Sequence, residues 1–323
     1  MMDRIIRFIK NWTLPIAMIV GAGVYMLFAK AEFMTPLKPM ANSAVEVLMP
    51  TLIFIQLLLS FCKANPKELI PNKWHLILAI FQSISCAIIA MLLIWDIFSW
   101  EINIVLQGAM ICLICPTATA AVVITSKLGG NAAQLVTYTM IINIVAAIII
   151  PLIFPLVEPH EGLSFLPAFS KILSKVFPLL IIPFILAMVL RKYFKRVHAQ
   201  LLKYSGYSFY IWAIALAIVT SQTIRWIANS DANAIIKLSV AFAGLVTCVI
   251  QFAFGRYVGS KYNSQISAGQ AIGQKNTVLA IWLACTYLNP LSSVAPGSYV
   301  LWQNIFNSWQ LYRKRNKKAQ LYT

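Results

Sequence analysis

Runs of about 20 apolar residues recur along the whole of this chain, each parted from the next by a short polar break. Such a run, coiled as an α-helix, is as long as the hydrocarbon core of a bilayer is thick. In lipid every backbone N–H and C=O must find its partner inside the protein, so a chain of such runs folds as a bundle of membrane helices. Ten spans are expected, near 12–30, 43–62, 75–95, 102–127, 131–157, 176–194, 206–227, 232–258, 264–288 and 295–311. Only 11% of the 323 residues are charged and 60% are hydrophobic, whereas soluble domains carry about 25% charged residues. The first run is too long for a signal peptide and lacks a small-residue cleavage site after it, so it is expected to remain in the protein.

The formal net charge of +17 reports topology. The basic residues lie in loops and tails with no aromatic-interleaved basic domain, so no nucleic-acid partner is expected. With a cytoplasmic N-terminus, the inner segments hold Arg4, Arg7 and Lys10; Lys63, Lys67 and Lys73; Lys127; Arg191, Lys192, Lys195, Arg196 and Lys203; Arg256 and Lys261; and Arg313, Lys314, Arg315, Lys317 and Lys318. The outer segments hold Lys30, Lys38, Lys171, Lys175 and Arg225, while Lys237 and Lys275 fall within spans. Nineteen inside against five outside places both termini in the cytoplasm of a multi-pass protein of the cell inner membrane. The basic tail from Arg313 reads as the flank of the last span.

The six cysteines, Cys62, Cys86, Cys112, Cys115, Cys248 and Cys285, lie in or at the ends of apolar spans and read as small core hydrophobes. Cys112 and Cys115 form a C-x-x-C, but no second pair or nearby histidine completes a metal set. His75, His160 and His198 are scattered over span ends and loops. No metal site is expected.

Two spans carry helix-breaking sequence at mid-membrane depth. The fourth meets Pro116-Thr117-Ala118-Thr119 after Cys115, and the ninth meets Gly269-Gln270-Ala271-Ile272-Gly273-Gln274-Lys275-Asn276-Thr277 before it resumes. Pro116 removes a backbone donor and clashes with the preceding turn, leaving carbonyls without partners; Gly273 marks the second break. Unpaired backbone at that depth survives only where protein or a water-filled cavity satisfies it. The breaks fall in the fourth member of each set of five spans, as in an inverted repeat built around a central site. Residues 1–160 and 161–323 are the two expected five-helix repeats. The half-helix after each break points its N-terminal amides at the gap, an arrangement suited to an anion.

Here the sequence resembles the bile acid:sodium symporter family over essentially its whole length. Cys115-Pro116-Thr117-Ala118-Thr119-Ala120-Ala121-Val122-Val123-Ile124-Thr125 is similar to that family's C-P-G-G-T-A-S-N-V-x-T, which makes Thr119 the crossover threonine. Gly273-Gln274-Lys275-Asn276-Thr277-Val278-Leu279-Ala280 is similar to its E-x-G-x-Q-N-[ST]-x-L-A with the front altered, and Gln82 matches a glutamine of the third span. The resemblance implies an all-α membrane protein of ten transmembrane helices in two inverted five-helix repeats, with helices 4 and 9 broken and crossing. It implies a core domain of helices 3–5 and 8–10 and a panel of helices 1, 2, 6 and 7. Substrate would bind between them, at Thr119, Asn276, Thr117 and the amides after each break.

The departures from the family pattern concern its two sodium sites. The family's Ser-Asn positions are Ala121 and Val122, and its Glu and Gln positions are Ala271 and Lys275 with the register pinned on Asn276. With one residue inserted, Gln270 and Gln274 take those two places instead. Neither register has a carboxylate. A dehydrated hard cation wants oxygen ligands and at least one negative charge. The nine acidic residues are Asp3, Glu32, Glu46, Glu68, Asp96, Glu101, Glu158, Glu161 and Asp231, and only Glu46 lies within a span, near one end.

Lys275 supplies a cation instead. An ionisable side chain inside a span is a functional residue by default. Too far from either face to reach water, its ammonium must find oxygens among unwound carbonyls, Gln82, Gln274 and Asn276, near where the family's second sodium would sit. Lys237, about one and a half turns from Asp231, is expected to snorkel outward. The expected function is transport of small organic anions by alternating access without sodium, in a monomer. If Lys275 stays charged throughout, the protein is a uniporter or exchanger; if the buried amine loses its proton during the cycle, substrate is coupled to proton flow. A sodium-coupled symporter with a non-standard site and a non-transporting membrane sensor are the alternatives. An enzyme is not expected, since no G-x-S-x-G, H-E-x-x-H or P-loop occurs, and neither a charge ring nor a repeated carbonyl filter suggests a channel.

Overall fold

The computed structural model describes residues 2–30, 36–159 and 162–320, with side chains from residue 13 to residue 316 within those ranges. Of the residues named above, Glu32, His160 and Glu161 lie outside the described residues, as do the side chains of Asp3, Arg4, Arg7, Lys10, Lys317 and Lys318. Among the described residues the chain is helical, with one isolated β-bridge as its only extended pairing.

The helices are α1 (Met2–Lys30), α2 (Lys38–Cys62), α3 (Lys73–Ile94), α4 (Trp100–Ile114), α5 (Ala121–Leu128), α6 (Ala132–Val157), α7 (Phe165–Tyr193), α8 (Lys195–Tyr204), α9 (Ser208–Asn229), α10 (Ala234–Ser260), α11 (Gln265–Gly273), α12 (Thr277–Tyr287) and α13 (Val294–Gln320). Among the described residues, seven stretches are long and apolar enough to cross a membrane: 13–30, 38–62, 73–94, 132–157, 165–193, 195–229 and 234–260. The expected fourth and ninth spans are each two short helices, α4 with α5 and α11 with α12, parted at Pro116 and after Gly273.

Several boundaries differ from expectation. Helix α1 begins at Met2 rather than near 12, and α13 runs to Gln320 rather than ending near 311 and is not among the seven apolar stretches. Helix α7 begins at Phe165 rather than near 176, which places Lys171 and Lys175 on the helix and not in an outer loop. Its early proline, Pro167, falls in the first turn, where backbone donors have no helical partner anyway, and long lysine stems can run along the helix to water. The segment expected as a basic loop after it folds as α8, an amphipathic helix whose one buried residue, His198, places Nε2 3.0 Å from the Cys62 carbonyl oxygen.

Helix α1 packs on α9, and α2 packs on α7 and α9; α3 packs on α4 and α6, and α10 on α4, α11 and α13. The contact of α10 with α11 depends on Gly255 and Gly259. A Cβ on Gly255 would lie 2.6 Å from the Ala268 carbonyl oxygen, and one on Gly259 would lie 2.7 Å from that of Ser264. This small-xxx-small face lets two membrane helices approach backbone to backbone and seats the second break deep in the bundle. One buried cluster joins α3 and α6 to α11 through Leu78, Ile142 and Ile272, and another joins α10 and α13 to α4 through Val240, Tyr299 and Ile104.

Candidate substrate site at the crossing of two broken helices

The two breaks meet. Thr117 and Lys275 form an antiparallel bridge in which the Ala118 amide donates to the Gln274 carbonyl oxygen at 2.9 Å and the Asn276 amide donates to that of Pro116 at 2.9 Å. Each unwound segment therefore supplies the backbone partners that the other lost, so these groups need no water-filled cavity. Side chains complete the joint: Thr117 Oγ1 donates to the Ala271 carbonyl oxygen at 2.5 Å, and the Cys115 thiol lies 3.1 Å from that of Asn276.

The carbonyls freed by Pro116 at the end of α4 are taken up by side chains from three helices or breaks. Gln251 Nε2 donates to the Cys112 oxygen at 3.2 Å. Gln82 Nε2 and Lys275 Nζ both donate to the Leu113 oxygen, at 2.6 and 2.9 Å. The lysine is 1% exposed, and its Nζ sits at the negative end of the α4 dipole, a favourable place for a cation. The Leu113 carbonyl oxygen is the one hydrogen-bond acceptor of this Nζ among the described residues. Every described carboxylate, by contrast, is on an exposed or half-buried residue: Glu46, Glu68, Asp96, Glu101, Glu158 and Asp231.

On the other side of the crossing, Tyr299 donates its hydroxyl to the Gly273 carbonyl oxygen at 2.8 Å and accepts from Gln251 Nε2 at 3.2 Å. Tyr138 donates to Gln82 Oε1. The Lys275 amide donates to Gln303 Oε1 at 2.9 Å.

The two half-helix starts are unlike each other. At α12, Asn276 is buried, its Oδ1 accepts from the Leu279 amide at 3.3 Å, and the Thr277 amide turns back to the Lys275 carbonyl. At α5, Ala118 and Thr119 are half-buried and Ala120 is exposed, and the amides of Thr119 and Ala120 make no hydrogen bond among the described residues. Of the two, the α5 start is the one with an exposed residue and with unbonded amides just before it.

The family model of the SBF-like CPA transporter family matches residues 18–313. The chain belongs to this family. It is a multi-pass membrane transporter, and its family is the bile acid:sodium symporter-like one that the crossover motifs resemble. The chain is also similar to the uncharacterized sodium-dependent transporter YocS of Bacillus subtilis (strain 168), with 28% identity over 268 residues, 79% of this chain and 78% of the relative.

Within this family frame, the candidate residues fall into separate groups. Lys275 and Gln82 come together on one carbonyl, but Gln82 stands beside the lysine as a fellow donor, because its own oxygen is turned to Tyr138. Gln274 bonds to Gln270, Gln270 Nε2 donates to Gln310 Oε1 at 3.2 Å, and Arg256 Nη1 reaches the same oxygen at 3.1 Å, so this amide chain runs away from Lys275. Thr119 is at the open α5 start, while Thr117 and Asn276 are buried in the joint. Lys237 turns back to the Ser230 carbonyl oxygen at 3.1 Å. Gln56, Gln251, Tyr299 and Tyr138 were not singled out from the sequence. The signal for the two glutamines was present as a bare carboxamide within an apolar span, which must find a partner there.

Proposed function

We propose that this protein is a secondary transporter of small organic anions that works by alternating access without sodium, the Lys275 ammonium serving where the family's second sodium would lie. The observation that carries this reading is the buried Lys275 Nζ on the Leu113 carbonyl at the crossing, with every described carboxylate on an exposed or half-buried residue. Sodium does not fit these residues. Ala121 and Ala271 are fully buried without a side-chain oxygen, and a second cation beside Lys275 would meet like charge. The anion would sit on the free amides of Thr119 and Ala120 and beside the Thr119 hydroxyl at the start of α5, with Thr117 and Asn276 holding the shape of the joint.

Ten spans in two inverted repeats, 1–160 and 161–323, are supported by paired features. The Asn131 amide donates to Ser267 Oγ at 2.8 Å across to α11, and the Asn289 amide donates to Gln107 Oε1 at 2.9 Å across to α4. The pairs Gln82 with Tyr138 and Gln251 with Tyr299 take equivalent places in the two halves, as do the two buried clusters. In this reading α1, α2, α7 and α9 are the panel and the remaining long helices the core, in an inner membrane with both termini cytoplasmic. The protein acts as a monomer in membrane lipid, has no nucleic-acid partner or cofactor, and is not an enzyme.

Uptake of labelled organic anions into proteoliposomes, with choline in place of sodium, is the test. Unchanged uptake is expected. Strict sodium dependence, the property in the name of the Bacillus relative, returns the reading to a sodium-coupled symporter with a non-standard site. A pH gradient that drives uptake without sodium assigns the proton-coupled form of the cycle.

A further inference from the structure

Gln56 is buried in α2, 4% exposed, and reaches across to the first break, where its Nε2 donates to Thr119 Oγ1 at 3.2 Å. Its other polar atom, Oε1, is buried with no hydrogen-bond partner. A carboxamide oxygen withdrawn from water and left unpaired is destabilising, and native proteins rarely keep one without a use. Next to it the amides of Thr119 and Ala120 are free donors at the start of α5, an eight-residue helix whose dipole favours negative charge there. Two complementary vacant groups thus stand side by side: donors that suit an anion and an acceptor that repels one.

Resting on the anion-transport reading, we infer that Gln56 is a specificity-determining residue, and that the substrate is an organic anion bearing a hydroxyl or amine donor close to its acidic group. The acid takes the Thr119 and Ala120 amides, and the neighbouring O–H or N–H donates to Gln56 Oε1. An anion without that donor leaves the buried oxygen unpaired, and one with a second acid there meets repulsion. A site built to pair a hydroxyl rejects the analogue lacking it far more strongly than an apolar pocket rejects a missing methylene. Because Gln56 comes from α2 and Thr119 from the break, the same substrate also touches both of the parts that would move against each other.

The test uses the purified full chain and three pairs of acids that differ by one hydroxyl: lactate with propionate, mandelate with phenylacetate, and malate with succinate. Binding is read by thermal shift, and transport by counterflow in proteoliposomes. At least one hydroxy acid is expected to bind about tenfold more tightly than its partner, the size of one hydrogen bond to an otherwise unpaired buried acceptor. Gln56→Leu is expected to lose that preference while still binding the plain acid, and Gln56→Asn, which keeps the amide on a shorter stem, to lose part of it. Equal binding within every pair that binds, or a preference that survives in Gln56→Leu, overturns the inference and leaves the anion site standing. If no acid binds the wild-type chain, the anion reading fails and this inference with it. If Gln56→Leu does not fold, the wild-type preference and the Gln56→Asn variant still decide.

Discussion

The side-chain nitrogen of Lys275 lies 2.9 Å from the carbonyl oxygen of Leu113, a residue in the last turn of α4 that lost its helical partner to the break at Pro116. The lysine thus belongs to one broken helix and caps the other. Gln82 donates to the same oxygen at 2.6 Å, so the carbonyl keeps a partner without the lysine. Lys275→Ala is therefore expected to fold and reach the membrane but to transport roughly tenfold or more slowly, a hydrogen bond to a charged group contributing about 1.5–3 kcal/mol. Wild-type uptake by this variant would leave the lysine only a propping role.

Tyr299 holds the second break as Gln251 holds the first. Its hydroxyl serves both the Gly273 carbonyl and the Gln251 amide, and all three residues are buried. Tyr299→Phe is expected to lower stability by about 1–3 kcal/mol, the cost of stranding buried polar groups. Thermal unfolding in detergent measures this, and an unshifted melting temperature would show that another group takes over.

Gly259 sets the distance between α10 and α11. A side chain there meets the Ser264 carbonyl oxygen and the Ala268 Cβ, both at 2.7 Å, and neither can move without displacing α11. Gly259→Val is expected to cost about 1–3 kcal/mol through overpacking and to abolish transport by shifting the second break. Gly23, which has open space beside it, is the control: Gly23→Val should leave transport unchanged.

The far end of α5 is closed by Gly129, in the left-handed region at φ 86°, and by Lys314, whose Nζ donates to the Lys127 carbonyl oxygen at 2.9 Å. The basic tail thus caps a half-helix of the crossing, besides flanking the last span. Gly129→Ala is expected to cost about 1–2 kcal/mol for placing a Cβ in that backbone region. Lys314→Met, at an exposed bond, should cost less than about 1 kcal/mol. Denaturation midpoints of the two variants give the comparison, and the reverse order would refute the assignment.

Both termini are expected on the cytoplasmic side. A C-terminal reporter that works only in the cytoplasm should be active, and one that works only outside should be silent. The opposite pattern would invert the whole assignment of inner and outer segments.

What could be read without coordinates was local. Pro116 and the Gly273-Gln274-Lys275-Asn276 stretch interrupt helices wherever they occur, because a missing donor and a glycine-rich polar run act on their own turn. The structure breaks the chain at both places. Lys275 could be recognised as buried for the same reason, lying too far along its span to reach water. Helix α8 and the early start of α7 were not legible, since an apolar window is blind to amphipathic turns carrying lysine and arginine.

Tertiary structure alone decided which groups answer the freed backbone. Leu113 is 31 residues from Gln82 and 162 from Lys275, and nothing in either neighbourhood marks one as the partner of the other. It also decided that α5 keeps an open start while α12 is capped and buried, and that Gln56 of α2 faces Thr119. A break in a helix is a property of the residues in it, but the identity of what heals the break depends on which distant segments the packing brings within 3 Å or so of it.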